Sequence, residues 1–287
     1  MASLKDIKSH IGSVKSTLKI TSAMKLVASA KLRKAQQAIE SMRPYRDTLS
    51  RILSQLGTAS LKREIPSEEQ SGKPSAAALV IISSNSSLCG GFNANVIREA
   101  KTALAALEAE GMTVRVFALG RKACDAFRKS GYASVEDCSS LVSKAEYGSS
   151  AEFADRLVKE YLDGTFDKVE LVYNHFVSNA VQKVTGETFL PFGTAGCAAE
   201  DIDEDAFILE PGRRELLEAL VPKVLRLSLY TAILDSAAAE HAARTVAMQT
   251  ASDNAEEILR QLTLEYNKSR QQKITAEILD MIGGSMQ

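Results

Sequence analysis

From Leu4 to Leu56, apolar side chains return after three residues and then after four. The series is Leu4, Ile7, Ile11, Val14 and Leu18, then Ala28, Leu32, Ala35, Ile39, Met42, Leu49, Leu53 and Leu56, broken only at Thr21, Lys25 and Arg46. A 3,4 alternation held this long belongs to one helix burying a narrow seam against a partner helix, as in a coiled coil. At ~1.5 Å per residue the run spans roughly 80 Å. Pro44 lies inside it. Its ring clashes with the carbonyl four residues back, so a kink is expected near Ser41, where a long rod would give way to a base.

A second helical pattern starts after Pro211-Gly212 and continues to Gly283-Gly284, with no glycine inside it and a proline, Pro222, near its start. Apolar positions recur at Leu216, Leu220, Val224, Leu227, Leu234, Ala238, Ala242, Val246, Ala255, Ile258, Leu262, Tyr266, Ile274, Ile278 and Met281. Some 70 residues give about 105 Å. This helix outruns its expected partner, so its far end should project beyond it. Between 237 and 247 alanines cluster (Ala237, Ala238, Ala239, Ala242, Ala243, Ala247), small enough for two helix backbones to approach closely.

The chain between the helices has another grammar. The segment 78–82 reads as a buried strand, 92–110 as a helix, 114–119 as a strand, and 121–129 and 150–162 as helices. A further strand is expected at 169–173 and an edge strand at 181–192. Strand alternating with helix argues a parallel-cored α/β layer. The polar stretch 66–73 and the acidic stretch 200–205 read as connectors. The organisation is thus α/β: an N-terminal coiled-coil helix over 1–60, a central Rossmann-like α/β domain over 76–195, and a C-terminal coiled-coil helix over 207–287.

Net charge is −1 from 35 basic and 36 acidic residues, so the total calls for neither nucleic acid nor a membrane surface. The distribution is uneven. Residues 1–46 carry ten basic side chains against Asp6 and Glu40 alone, a cationic rod of about +8. Cys89, Cys124, Cys138 and Cys197 form no CxxC pair, and His10, His175 and His241 lie far apart. No metal-ligand spacing results, and reduced, partly buried thiols are expected. There is no apolar run of membrane-span length and no secretory signal core, which reads as a chain in, or facing, the cytosol.

Three local sequences are candidates for function. Ser83-Ser84-Asn85-Ser86-Ser87-Leu88-Cys89-Gly90-Gly91-Phe92-Asn93 follows a strand and precedes a helix, where α/β folds bind phosphates. It matches neither GxGxxG nor GxxxxGK[ST], so a tight turn is the better reading. Cys89 has no neighbouring base to make it a nucleophile. Around Met24, the side chains of Ile20, Ala23 and Val27 make residues 20–27 apolar nearly all round, a patch that an isolated pair of helices would expose. Its cover would be a collar of other subunits or the chain's own base domain. Late in the second helix, 267–273 breaks the seam with a polar turn holding Arg270 and Gln271. A solvated face and a set of switchable hydrogen bonds to a partner's carboxylates fit it equally.

Taken together, the chain resembles the gamma subunit of the F-type ATP synthase, bacterial type, over essentially its whole length. Three stretches carry the resemblance. The first is Ile20-Thr21-Ser22-Ala23-Met24-Lys25-Leu26-Val27-Ala28 with Ala30-Lys31-Leu32-Arg33-Lys34-Ala35. The second is Leu88-Cys89-Gly90-Gly91-Phe92-Asn93. The third comprises Ala247-Met248, Asn254-Ala255, Tyr266-Asn267, Arg270-Gln271 and Ile274-Thr275-Ala276-Glu277. Ser86-Ser87 departs from the family's common Arg-Gly, and Gly284-Ser285 from its Gly-Ala. The chloroplast version's segment with two regulatory cysteines has no counterpart.

The resemblance implies a subunit without chemistry, catalytic residues, cofactor or metal of its own. Its terminal helices would form an antiparallel coiled coil inside a hexamer of alternating alpha and beta subunits. Its α/β domain would face the epsilon subunit and the membrane ring of c subunits. Rotation would couple proton transport to ATP synthesis or hydrolysis on the beta subunits. The location implied is peripheral, on the cytoplasmic face of the bacterial inner membrane, with no direct membrane span. Carried over by motif, Met24 and Lys25 would approach the acidic lever loop of a beta subunit, with Arg244 nearby on the second helix, while Arg270, Gln271, Thr275 and Glu277 would form a polar catch with the catalytic subunits. Two other classes fit parts of the sequence: an α/β enzyme with a basic coiled-coil RNA-binding arm, and a self-dimerising coiled-coil scaffold.

Overall fold

The computed structural model describes residues 4–55, 75–191 and 212–284. The connectors expected at 66–73 and 200–205 lie outside these residues. So do Leu56, Phe192, Cys197 and the domain limits drawn at 60, 195 and 207. Among these described residues eleven elements follow in order. They are α1 (Leu4–Gln55), β1 (Ala76–Ile82), α2 (Phe92–Ala109), β2 (Thr113–Leu119), α3 (Arg121–Lys129) and β3 (Val135–Asp137), followed by α4 (Ser140–Lys144), α5 (Tyr147–Leu162), β4 (Lys168–Phe176), β5 (Gln182–Leu190) and α6 (Arg213–Gly284). The chain divides into two compact units. One comprises 1–29 with 244–287, the other 30–243.

In the larger unit the five strands form one sheet in the order β3-β2-β1-β4-β5, parallel except for β4 against β5. Strand β1 sits at the centre and is buried along nearly its whole length, which is why it reads as an unbroken apolar run. Its side chains alternate between two cores. Ala78, Val80 and Ile82 face α5 and α6 through Leu157, Val221, Leu225 and Leu229, whereas Ala77, Leu79 and Ile81 face α2 and α3 through Val96, Ala100 and Phe127. Helix α6 is therefore a structural layer of this domain as well as a long terminal helix.

Several expectations change. The edge strand ends at Leu190, ahead of Pro191. Strand β3 and helix α4 were not expected; at 3 and 5 residues they are too short to show a period. Helix α5 starts at Tyr147, earlier than 150, because the Tyr147 ring packs edge-on against Tyr230 of α6, 5.4 Å between centroids. Helix α1 continues through Pro44, in keeping with the single long helix expected from Leu4 onward.

In the smaller unit, Leu4–Ser29 of α1 runs antiparallel to the part of α6 beyond Arg244: Thr21 meets Ser252, while Ile7 and His10 border one groove with Leu262 and Glu265. From Ser252 onward the buried and half-buried positions of α6 are Ser252, Ala255, Leu259, Leu262, Tyr266 and Ser269, spaced 3,4,3,4,3. Val246 and Ile258, expected in the seam, are exposed. On α1, Thr21 and Lys25 occupy seam positions instead of interrupting it, Thr21 buried and Lys25 half-buried.

Candidate partner-contact surfaces and the domain crevice

An open α/β sheet binds ligands beyond the carboxyl ends of its strands, where successive connections leave in opposite directions. Here that place lies between β1 and β4, and the loop Ser83–Asn93 borders it. The loop's polar groups are turned on one another. The Asn93 carboxamide oxygen accepts from the Ser84 backbone N–H at 3.1 Å, and its nitrogen donates to the Ser84 hydroxyl at 2.9 Å and to Cys89 Sγ at 3.1 Å. Leu88 and Gly90 take left-handed backbone angles, φ 66° and 58°, which close the turn. Below it, Gly120 admits no side chain, since a Cβ would come within 2.3 Å of the Ser83 carbonyl oxygen.

The remaining space is filled by helix α6. Cys89 and Phe92 are buried against Ala239 and Ala243, with Phe176 alongside, and Leu32 and Ala35 of α1 pack on Ala238 and Ala242 next to them. The crevice is thus a seat for the long helices, and alanine at these positions lets the helices approach closely. The tight-turn reading of the loop holds, and the cationic-ligand chemistry of a phosphate loop is absent among its residues.

Two surfaces of the smaller unit remain open. On α1 the flank of the seam exposes Ile20 (59%), Leu26 (70%) and Val27 (57%), with Met24 and Lys25 half-buried between them. Arg244 is half-buried on α6, and the antiparallel register places it about one turn beyond the point opposite Lys25. The second surface is the end of α6. From Arg270 to Ile282 every side chain whose burial is described is exposed, including Ile274, Ile278, Leu279, Met281 and Ile282. The register leaves this segment past the start of α1. Within it the Thr275 hydroxyl donates to the Gln271 carbonyl at 2.9 Å, and Lys273 Nζ lies 3.8 Å from Glu277. Arg270 and Gln271 point into solvent on the same segment. The seven candidates therefore fall into two groups, Met24, Lys25 and Arg244 in one, Arg270, Gln271, Thr275 and Glu277 in the other. About 39 Å of helix separates them at ~1.5 Å per residue.

Sequence reasoning did not find Ser252 or Asp235. Ser252 could have been found from the unbroken 4,3 spacing of its neighbours. Asp235, which joins α6 to the end of β4, has no local signal, because its partners His175 and Phe176 are some 60 residues away.

Electrostatics concentrate elsewhere, toward the β3 edge of the sheet on the face covered by α5. Glu136 lies between two guanidiniums, 2.5 Å from Arg156 and 3.3 Å from Arg115, and both arginines also reach Glu160. The Arg156 hydrogen bond, more than the opposing effect of burial, holds the Glu136 carboxyl below the usual carboxylate range. Both guanidiniums stack over the Phe117 ring, at 5.3 and 5.5 Å. No group of three or more His, Cys, Asp or Glu among the described residues could hold a metal ion, and no described helix is long and apolar enough to cross a membrane.

Comparison with known proteins adds the family. A family model described as ATP synthase matches residues 3–286. The ATP synthase gamma chain of Phocaeicola vulgatus is 47% identical over 292 residues, covering 100% of both chains, and that of Bacteroides thetaiotaomicron is 45% identical over 299, again covering 100% of both. The gamma chain of Rhodospirillum rubrum is 39% identical over 299 residues. A chain in a cryo-EM structure of the Euglena gracilis mitochondrial ATP synthase (OSCP, F1 and c-ring) matches with TM-score 0.66 at 22% identity, covering 99% of this chain and 93% of that one. At that identity the structural likeness bears on the fold: two terminal helices around a mixed sheet. None of these matches favours an enzyme with an RNA-binding arm. The chain belongs to the ATP synthase gamma-chain family, the non-catalytic rotor subunits of the central stalk.

Proposed function

We propose that this chain turns inside a hexamer of alpha and beta subunits, with its α/β domain against an epsilon subunit and a ring of c subunits, at the cytoplasmic face of a bacterial inner membrane. Proton flow through the ring would drive the rotation. Rotation presents each beta subunit in turn with a different face of an asymmetric shaft, so that binding differences between faces become shifts in nucleotide affinity. Met24, Lys25 and Arg244 are assigned to a beta-subunit lever, and Arg270, Gln271, Thr275 and Glu277 to a polar catch. The cationic rod of α1 favours an acidic collar, where charge steers assembly.

The observation that carries this reading is the pair of exposed stations on the smaller unit. Large apolar side chains stand in solvent at Ile20, Leu26 and Val27, and again at Ile274, Leu279 and Met281. An apolar shaft exposed at two levels is the shape of a part that completes its burial inside a partner. Co-purification tests it: a tagged chain expressed in its native host should bring down alpha, beta and epsilon subunits with ATPase activity. Recovery of the chain alone, or only as a self-dimer, would sink the proposal.

A further inference from the structure

Helix α6 leaves the sheet near Asp235. Up to Ile233 it is held by the apolar core, through Val221, Leu225, Leu229 and Ile233. Beyond it, contact with the domain passes to the small side chains Ala238, Ala239, Ala242 and Ala243. At the point of exit, the Asp235 carboxylate takes two donors from consecutive residues at the end of β4. One oxygen accepts the Phe176 backbone N–H at 3.0 Å, and the other contacts His175 Nδ1. Asp235 is largely buried, with 18% of its side chain exposed. One side of this contact is open: a cavity of about 550 Å³ lies between α1, the end of the sheet and α6, with Asp235 and His175 in its wall.

We infer that Asp235 is a positioning residue for torque transfer, a two-point clasp that fixes the azimuth of α6 where it emerges from the sheet. The inference rests on the rotor reading. Apolar packing resists separation of two surfaces but is non-directional, so it yields to sliding and turning. A carboxylate gripped through both oxygens by donors on one strand end resists turning, because rotation of the helix breaks both bonds together. The cavity explains why a clasp matters at this level. Among the described residues, side chains of α1 line the space beside Asp235 without filling it, so their packing there contributes little to holding the helix angle. Arg46 and Glu40 of α1, Tyr173 of β4 and Glu187 of β5 also line the space. None of them replaces the bond to the Phe176 N–H.

The test uses the assembled complex in host membrane vesicles. Asp235→Ala removes both acceptors. His175→Ala, at a half-exposed side chain, removes one donor with little risk to folding, and His175→Asn returns an amide nitrogen near the position of Nδ1. ATPase rate is measured with an uncoupler, so that the rotor turns without load, and ATP-driven acidification is followed to its limit, where load is greatest. Both alanine variants should keep unloaded ATPase within about 2-fold of the parent while the limiting gradient falls at least 3-fold, and His175→Asn should recover most of it. In the full chain, exchange of the Phe176 amide should quicken about 10-fold in Asp235→Ala. Equal losses in rate and gradient, or an unchanged gradient, would overturn the clasp. A parent complex that hydrolyses ATP but never acidifies the vesicles would instead overturn the rotor reading.

Discussion

Thr21 Oγ1 and Ser252 Oγ lie 2.8 Å apart, a hydrogen bond between residues 231 positions distant in the chain. Both residues are buried, 8% and 6% exposed, in a seam made mostly of apolar side chains. The Thr21 hydroxyl also lies 3.1 Å from the Leu18 carbonyl, so Thr21 can donate backward while accepting from Ser252. Removing one partner strands the other's hydroxyl. Thr21→Val or Ser252→Ala should each cost about 1–2 kcal/mol, whereas the double variant should cost less than the sum, with a coupling of roughly 1 kcal/mol. Urea denaturation followed by helix ellipticity gives all four corners of the cycle. Strict additivity would show that the bond contributes nothing.

The Glu136 carboxylate predicts an acid limb of stability. Its pKa is lowered in the fold, first by the hydrogen bond from Arg156 and then by the charges of Arg156 and Arg115. A carboxyl with a depressed folded value binds its proton more weakly when folded. Its contribution is therefore complete above the ordinary carboxylate range and disappears as pH falls through the lowered folded value. The side chain is about a third exposed, so solvent screens the pair and Glu136→Gln should cost only about 1 kcal/mol at neutral pH. The difference between parent and variant should shrink on acidification. A difference that stays constant down to pH 3 would mean that the charge is irrelevant and only packing was lost.

The sequence made the helices and the central strands legible because each has a long enough period to read. All seven residues of β1 are apolar and all but the first are buried, while five of the nine residues of β4 are apolar, Val169, Leu171 and Val172 among its buried ones. Helix α3 was expected over 121–129 and spans those residues. The seam of α6 was only half legible. Ile258 and Leu259 are neighbours of equal hydropathy, and only the partner helix decides which one turns inward; Leu259 does, since it continues the spacing from Ser252 and Ala255. Two of the seam's members are serines, which a hydropathy pattern discards. The same blindness hid Asp235. A polar residue whose role comes from a strand some 60 positions away leaves no trace in its own neighbourhood.

Glu187 should be a site where neutralisation stabilises. The side chain is exposed, but the protein packed around it partly desolvates the carboxyl and raises its pKa; the Tyr173 hydroxyl and His175 oppose the shift, and the nearby Asp235 charge adds to it. An acid whose folded value is raised binds its proton more tightly in the fold. Its protonation favours the fold in full below the ordinary carboxylate value, and this contribution is lost as pH rises through the raised value, leaving the desolvated charge unrelieved. Glu187→Gln keeps an oxygen for the tyrosine hydroxyl and removes the charge. The denaturation midpoint should rise at pH 8 and be nearly unchanged at pH 4. A variant less stable at pH 8 would show that the carboxylate has a stabilising cation, with His175 the first candidate.

Arg270 and Gln271 test the outer station. Both are exposed on a segment where Ile274, Ile278 and Met281 are exposed too, so nothing within the described chain depends on their side chains for burial. Arg270→Leu and Gln271→Leu keep the side-chain bulk and a high helix propensity, and surface changes of this kind alter stability by less than about 0.5 kcal/mol. Helix ellipticity of the isolated chain should therefore not change. If the polar catch is real, each variant removes charge-assisted or multidonor hydrogen bonds to a catalytic subunit and should lower the ATPase turnover of the assembled complex severalfold, with assembly intact. Wild-type turnover in a fully assembled complex would remove the catch and leave the apolar tip as the only contact at that level.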